Sequence, residues 1–95
     1  MYRQKSYLSA RRGRKFVKID REILSYCIHE TWCVWMKYLF RKSTMNADGT
    51  MTIPKWAVER WTRQMYTAYP NLPEEEKLSD RIEADRMLIY MRGDI

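Results

Sequence analysis

Residues 21–40 read REILSYCIHETWCVWMKYLF, and this stretch has the periodicity of one long amphipathic helix. Its apolar side chains recur at spacings of three and four residues, as they do along one face of a helix. Asp20 predicts an N-cap, and Glu22 places negative charge where the helix dipole favours it. Tyr26 and Cys33 widen the apolar stripe, so this helix is predicted to be the central and most buried one. The stripe consists of Ile28, Trp32, Trp35, Met36 and Leu39.

Two shorter helices are predicted on the C-terminal side of this stretch. Pro54 and Pro73 each suit the first position of a helix, and the second of these helices is expected to end near Met91, before Gly93. Asp48-Gly49, in the connection between the first two helices, predicts a turn that is also able to close a tight hairpin. The predicted fold class is therefore all-α: a small three-helix domain over residues 20–95, with a basic N-terminal extension over residues 1–19.

The N-terminal extension carries most of the charge asymmetry of the chain. Residues 1–19 hold seven bases and no acid, whereas residues 20–95 hold eleven bases and twelve acids. Such an arm suits phosphates or an acidic surface, and the alternative is a solubilising, partly disordered terminus. Around Gly13 a short β-hairpin, an extended segment and a helix all remain open. The expected phosphate or nucleic-acid contacts are Arg11, Arg12, Arg14 and Lys15.

The residue types that most catalytic and metal sites need are scarce. His29 is the only histidine, and no CxxC or HxxxH motif accompanies it. Three glycines leave no room for a glycine-rich phosphate loop. We therefore expect no enzymatic activity, no metal and no cofactor. Cys27 and Cys33 lie about 240° apart around the helix axis, so they cannot bridge each other, and two unpaired cysteines suit a reducing cytoplasm. Neither a membrane span nor a signal peptide is predicted.

Aromatic residues are abundant, with four Trp and seven Tyr in 95 residues. Trp32 and Trp35 are three residues apart and are expected to line one wall, whereas Trp56 and Trp61 are five apart and are expected to point in different directions. Arg and Lys residues are interleaved with these rings. Aromatic faces stack bases and Arg holds phosphates, so the combination suits nucleotides; the alternative is a core or a subunit interface.

The last predicted helix has charged residues inside its apolar arc. Arg81 and Asp85 lie one turn apart within the arc, and Lys77 and Asp80 border it. Burying charge is costly unless partners are supplied. Two interpretations remain open here: a buried ion-pair network that holds the fold, or a polar ligand pocket.

Two motifs give the chain a resemblance to a known family. HETWCVWM, with His29, Trp32 and Met36, is followed after a gap by YPNLPEEEKLSDRIEADRML. Together they resemble the ryanodine-receptor repeat domain, in which a helix with H-x-x-W is joined to a segment reading roughly Y-x-x-L-x-E-x-x-K-x-x-D-R. The resemblance covers about residues 28–91, and RKSTMNADGT replaces the family's usual glycine-rich turn. Its matching residues in the second motif are Tyr69, Leu72, Glu75, Lys77, Asp80, Arg81, Ala84 and Leu88.

The resemblance implies a function as well as a fold. Repeats of this family are non-catalytic, and the small prokaryotic and phage versions are more similar to this chain than the animal ones are. The resemblance implies a phage-type protein that sequesters a nucleotide-derived signal, such as a cyclic nucleotide, and so counters host defence. The unpaired cysteines and the short chain lead us to expect a cytoplasmic homo-oligomer, in the host cell if phage-encoded. The alternatives are a nucleic-acid-binding protein that uses its basic arm and a protein-interaction inhibitor of a host factor. The expected ligand-binding residues are His29, Trp32, Trp35, Arg60, Trp61, Tyr69, Lys77 and Arg81.

Overall fold

The computed structural model describes residues 19–92, and it confirms the all-α, three-helix prediction. Helix α1 spans Arg21–Lys42, α2 spans Lys55–Met65 and α3 spans Glu74–Met91. Strands β1 (Thr44–Met45) and β2 (Met51–Thr52) form a small hairpin between α1 and α2, and a 3-10 turn at Tyr69–Asn71 precedes α3. The predicted basic arm up to residue 18, with its suggested hairpin, and Gly93 lie outside the described residues.

The start of α1 depends on one side chain. Asp20 Oδ1 accepts a hydrogen bond from the Ile23 backbone N–H at 3.1 Å, which confirms the predicted N-cap. The helix continues to Lys42, two residues beyond the predicted end. Ser43 follows it, and its hydroxyl donates to the Leu39 carbonyl at 2.8 Å. The last turn carries basic side chains, which suits the helix dipole.

The hairpin between α1 and α2 is closed at the predicted Asp48-Gly49 turn. Strands β1 and β2 are antiparallel, with Met45 opposite Met51. Gly49 has a φ of 89°, a conformation that side chains disfavour. Asp48 Oδ1 accepts from the Thr50 N–H at 3.0 Å and from its hydroxyl at 2.7 Å. These bonds favour the carboxylate, so they hold the pKa of Asp48 below its ordinary value.

Both prolines act one position earlier than predicted. Pro54 and Pro73 are the N-caps of α2 and α3, each in an extended conformation with a ψ of 153°. Each helix therefore begins at the following residue. The result for α3 is that Glu74 becomes its first residue, and this sets which later residues share a face with it.

Helices α1 and α3 pack antiparallel along a single line. Tyr26 and Tyr90 meet near one end, with ring centroids 4.7 Å apart and the rings nearly perpendicular. The Tyr26 hydroxyl donates to the Tyr90 hydroxyl at 3.2 Å, and this bond is the main cause that raises the pKa of Tyr26 to about 12. Further along, the Thr31 hydroxyl donates to Glu83 Oε1 at 3.5 Å.

The buried line on α1 is not the predicted stripe. Cys27 and Thr31 are the buried residues of α1, whereas Ile28 is 64% exposed and Trp32 is 56% exposed. The prediction that the broad stripe is the buried face of α1 is therefore wrong, although α1 does hold two of the four buried residues that the structure describes. The physical reason is that α3 covers only a narrow strip of α1, so most of the wide apolar face has no neighbour within residues 19–92.

The predicted apolar face of α2 is divided in the same way. Ala57 is fully buried and Trp61 is half-buried, but Val58 is 47% exposed and Met65 is 72% exposed. Only a small part of each amphipathic helix is thus covered by the described chain. Ala57 is the only buried residue of α2.

We expect the Ala57→Leu variant to lose about 1–3 kcal/mol of unfolding free energy, because three added carbons must displace packed neighbours. Urea denaturation followed by circular dichroism measures this. The neighbouring Val58→Leu variant is the control and is expected to change stability by less than about 0.5 kcal/mol, because Val58 is exposed. Equal losses in both variants would contradict the burial of Ala57.

Candidate functional site

A charged cluster forms where the 3-10 turn meets the start of α3. Glu74, Lys77 and Arg81 are spaced by three and four residues, so they share one face of α3. Tyr69, in the 3-10 turn, lies beside them: its hydroxyl accepts a hydrogen bond from Arg81 Nε at 3.1 Å. Lys77 Nζ lies 5.6 Å from the centre of the Tyr69 ring. We call these four residues the Tyr69 cluster.

Glu74 sits between the two cations of the Tyr69 cluster. Its Oε1 accepts from an Arg81 guanidinium nitrogen at 3.0 Å, and its Oε2 lies 3.5 Å from Lys77 Nζ. The hydrogen bond from Arg81 is the main cause that lowers the pKa of Glu74, and the same bond raises that of Arg81. The Glu74 side chain is 71% exposed. Two cationic donors therefore converge on an oxyanion that is free to move into solvent.

The predicted Arg81–Asp85 pair does not form. Arg81 instead forms an ion pair with Glu74, the first residue of α3. Both Arg81 and Asp85 are exposed. The proposal of a buried ion-pair network at Arg81 is therefore wrong. The buried acid of α3 is Glu83, which bonds Thr31 and lies 3.4 Å from Arg86. Sequence reasoning missed Glu83 because the apolar arc predicted for this helix did not include it.

A second group of predicted residues lies between α2 and α1. The Trp56 and Trp61 rings approach to 6.0 Å at a steep angle, so the prediction that they point apart is wrong. Residues five apart diverge at Cβ, but two indole rings are long enough to meet. Trp61 also lies 6.1 Å from Tyr38 of α1, and the Arg60 guanidinium lies 5.2 Å from the Trp56 ring. Arg60 and Trp61 thus belong to helix packing rather than to the Tyr69 cluster.

The third group is on α1. Trp32 and Trp35 line one shallow depression of about 330 Å³, as predicted, together with Ile28, Thr31 and Met87. His29 stacks on Trp32 at 5.8 Å, and its Nε2 lies 3.4 Å from the Cys33 sulfur. The depression has an apolar lining, apart from the Thr31 hydroxyl. It therefore lacks the charges that a phosphate requires.

The eight predicted ligand-binding residues thus occupy three separate places. Tyr69, Lys77 and Arg81 come together, whereas the other five lie in the α2 packing group or on α1. Glu74 was missed, although its spacing from Lys77 and Arg81 was a readable signal of a shared helix face. The expected arm contacts, Arg11, Arg12, Arg14 and Lys15, lie outside the described residues.

The described residues form neither a group of metal ligands nor a helix able to cross a membrane. Across residues 19–92, no three His, Cys, Asp or Glu side chains group as metal ligands. Both cysteines are free thiols, and burial raises the pKa of Cys27. None of the described helices combines the length and apolarity that crossing a membrane requires.

Comparison of the chain with protein-family models, with curated proteins and with solved structures finds no match. The likeness to ryanodine-receptor repeats therefore remains a prediction from the two motifs. Function has to be argued from the arrangement of side chains.

An ion pair joins α2 to the first turn of α3, next to the Tyr69 cluster. The two terminal guanidinium nitrogens of Arg63 each donate a hydrogen bond to one carboxylate oxygen of Glu76, and the bond to Oε1 is 3.2 Å long. These bonds lower the pKa of Glu76 from its ordinary value of 4.5 and raise that of Arg63. Since the Glu76 side chain is only 14% exposed, the pair also orients the first turn of α3.

We expect this pair to make stability depend on pH. A carboxyl whose pKa is lowered by folding stabilises the folded state above its unfolded pKa, and that contribution is lost as the pH falls through the folded pKa. The wild type should therefore lose more stability than Glu76→Gln between about pH 6 and pH 3. Urea denaturation at several pH values measures the difference, and Glu59→Gln on exposed α2 is the control. Parallel pH curves for wild type and Glu76→Gln would contradict the assignment.

Proposed function

We propose that this chain is a non-catalytic binding protein that sequesters an anionic, nucleotide-derived signalling molecule. The observation that carries the proposal is the Tyr69 cluster, in which Arg81 and Lys77 converge on the two oxygens of one exposed carboxylate. A phosphate offers the same charge and the same kind of acceptor oxygens. Sequestration requires affinity alone, which agrees with the scarcity of catalytic residue types.

The ligand's phosphate would take the place of the Glu74 carboxylate. Arg81 holds phosphates through paired N–H donors, and Lys77 adds a mobile point charge. Tyr69 is 45% exposed, and one face of its ring is approached by Lys77. The ring therefore offers its remaining surface to a base. In this arrangement Glu74 is a competitor that occupies the donors while the site is empty.

The resemblance to ryanodine-receptor repeats supplies the biological part of the proposal. Its most specific segment, YPNLPEEEKLSDRIEADRML, contains all four residues of the cluster. A small phage-type protein of this kind would lower the free concentration of a defence signal, such as a cyclic nucleotide, in the host cytoplasm. This role needs no turnover, because one protein molecule removes one ligand molecule.

Opposite effects are expected from the two halves of the Glu74–Arg81 pair. Arg81→Ala should weaken binding about tenfold or more, because a charge-assisted bond to phosphate is lost. Glu74→Gln should strengthen binding about two- to fivefold, because a competing exposed ion pair is removed. Isothermal titration calorimetry with cyclic di- and trinucleotides, ADP-ribose and ATP measures both.

The controls lie on α2, where Lys55 and Glu59 form an exposed i,i+4 pair with the same chemistry. Lys55→Ala and Glu59→Gln should leave nucleotide affinity unchanged. A purely structural role predicts the contrary pattern: Glu74→Gln and Arg81→Ala both lower the melting temperature, and neither changes affinity. Failure of every nucleotide to bind the wild type would overturn the proposal.

A second candidate function follows from the charge of the arm. Seven bases within residues 1–19 suit the phosphate backbone of a nucleic acid. Backbone binding would weaken steeply with salt, by about 0.7–0.9 log units per log of salt for each neutralised phosphate. Deleting residues 1–18 would then abolish oligonucleotide binding, whereas binding at the Tyr69 cluster would persist. A host protein that co-purifies would instead favour the third alternative, an inhibitor of a host factor.

A further inference from the structure

Helix α1 presents a long apolar surface to solvent. Its members are Leu24 (43% exposed), Ile28 (64%), Trp32 (56%), Trp35 (46%) and Phe40 (53%), which we call the α1 outer face. With fully exposed residues taken at roughly 150–250 Å² each, these five leave roughly 400–650 Å² of surface open. That is as large as the largest apolar patch on a typical monomer, roughly 300–600 Å². A surface of this size indicates a partner.

The described chain supplies no such partner. Helix α3 meets α1 through Cys27 and Thr31, beside the outer face, and Met87 only reaches its edge. A stable dimer of standard size buries roughly 800 Å² on each subunit. The α1 outer face supplies the greater part of that area on one copy, and neighbouring side chains such as half-buried Met36 and exposed Lys37 add to it.

The charges along α1 indicate what covers this face. Residues 20–31 carry three acids and one base, whereas residues 32–43 carry three bases and no acid. An antiparallel second α1 would therefore set the acidic half of each helix against the basic half of the other. No ion pair within residues 19–92 engages Glu22 or Lys37, so these charges are available to a partner.

We propose that the α1 outer face binds a second copy of this chain, with the two α1 helices antiparallel about a two-fold axis. The outer face extends from residue 24 to residue 40, and its midpoint is Trp32. A two-fold axis there pairs Trp32 with its own copy and brings Leu24 to the level of the partner's Phe40. In the same register the end of α1 that carries Glu22 lies alongside the end that carries the partner's Lys42. This interface is independent of the nucleotide proposal, because no residue of the Tyr69 cluster belongs to it.

The alternative occupant within the chain is the N-terminal arm. The arm carries seven bases and would lie on a helix whose second half already has three bases and no acid. The arm therefore complements only the acidic first half of α1, whereas an antiparallel second α1 complements both halves. Deleting residues 1–18 distinguishes the two: it should leave self-association intact if a second copy covers the face, and should increase it if the arm does.

The first test is the oligomeric state of the full chain by sedimentation equilibrium. We expect a dimer for the wild type, and for Trp32→Glu a dimer Kd raised by at least about thirtyfold, since a central Trp of an interface is a typical hot spot. Met65→Glu is the control, because Met65 is 72% exposed on α2 and away from the face. It should remain dimeric. Circular dichroism checks that both variants keep their helices.

The second test addresses the antiparallel arrangement. Glu22→Lys alone and Lys42→Glu alone should each weaken the dimer, and the double exchange should restore it, most clearly at low salt. Neither single variant places its charge favourably for the dipole of α1, so recovery in the double variant has to come from the contact between copies. A monomeric wild type, an unchanged Trp32→Glu dimer or the absence of recovery would overturn the proposal.

Discussion

The contact between α1 and α3 is the constraint on which the other features of this structure depend. It runs from the Tyr26–Tyr90 hydroxyl pair to the Thr31–Glu83 hydrogen bond, so it fixes the two helices antiparallel. It is also narrow. A helix of 22 residues that is covered along one line keeps most of its circumference in solvent. The same contact therefore both defines the fold and leaves the α1 outer face without a neighbour.

The antiparallel arrangement also determines where the Tyr69 cluster lies. It brings the start of α3 next to the end of α2, where Arg63 and Glu76 form the ion pair that joins them. Pro73 makes Glu74 the first residue of α3, so Lys77 and Arg81 follow on the same face. The cluster is thus built on a helix, apart from Tyr69, whose position is fixed by the bond from Arg81. A site built on a rigid element holds its donors more precisely than one on a loop.

Local chemistry explains which parts of the fold were predictable. Asp20 as an N-cap, the two prolines and the Asp48-Gly49 turn act over three or four residues, so the three helices and the hairpin followed from them. The burial of each apolar helix face could not be predicted in this way. Periodicity identifies an apolar face, but it does not show how much of that face a neighbouring helix covers. The choice of Glu74 over Asp85 by Arg81 was equally hidden, since both acids lie within reach on one helix. The Trp56 and Trp61 rings come within 6.0 Å of each other because indole side chains are long enough to span the angle between their positions on the helix.

Self-association and ligand capture would support each other in a chain with so few buried residues. Anything that binds only the folded state stabilises it by mass action, whether it is a second copy or a small anion. Since the α1 outer face and the Tyr69 cluster share no residue, a dimer would keep both of the proposed anion sites. A second copy would add the buried apolar surface that one chain lacks, and so would hold α3 and its cluster in place before any ligand arrives. Preorganisation of that kind leaves more of the interaction energy for affinity, which is the property that sequestration requires.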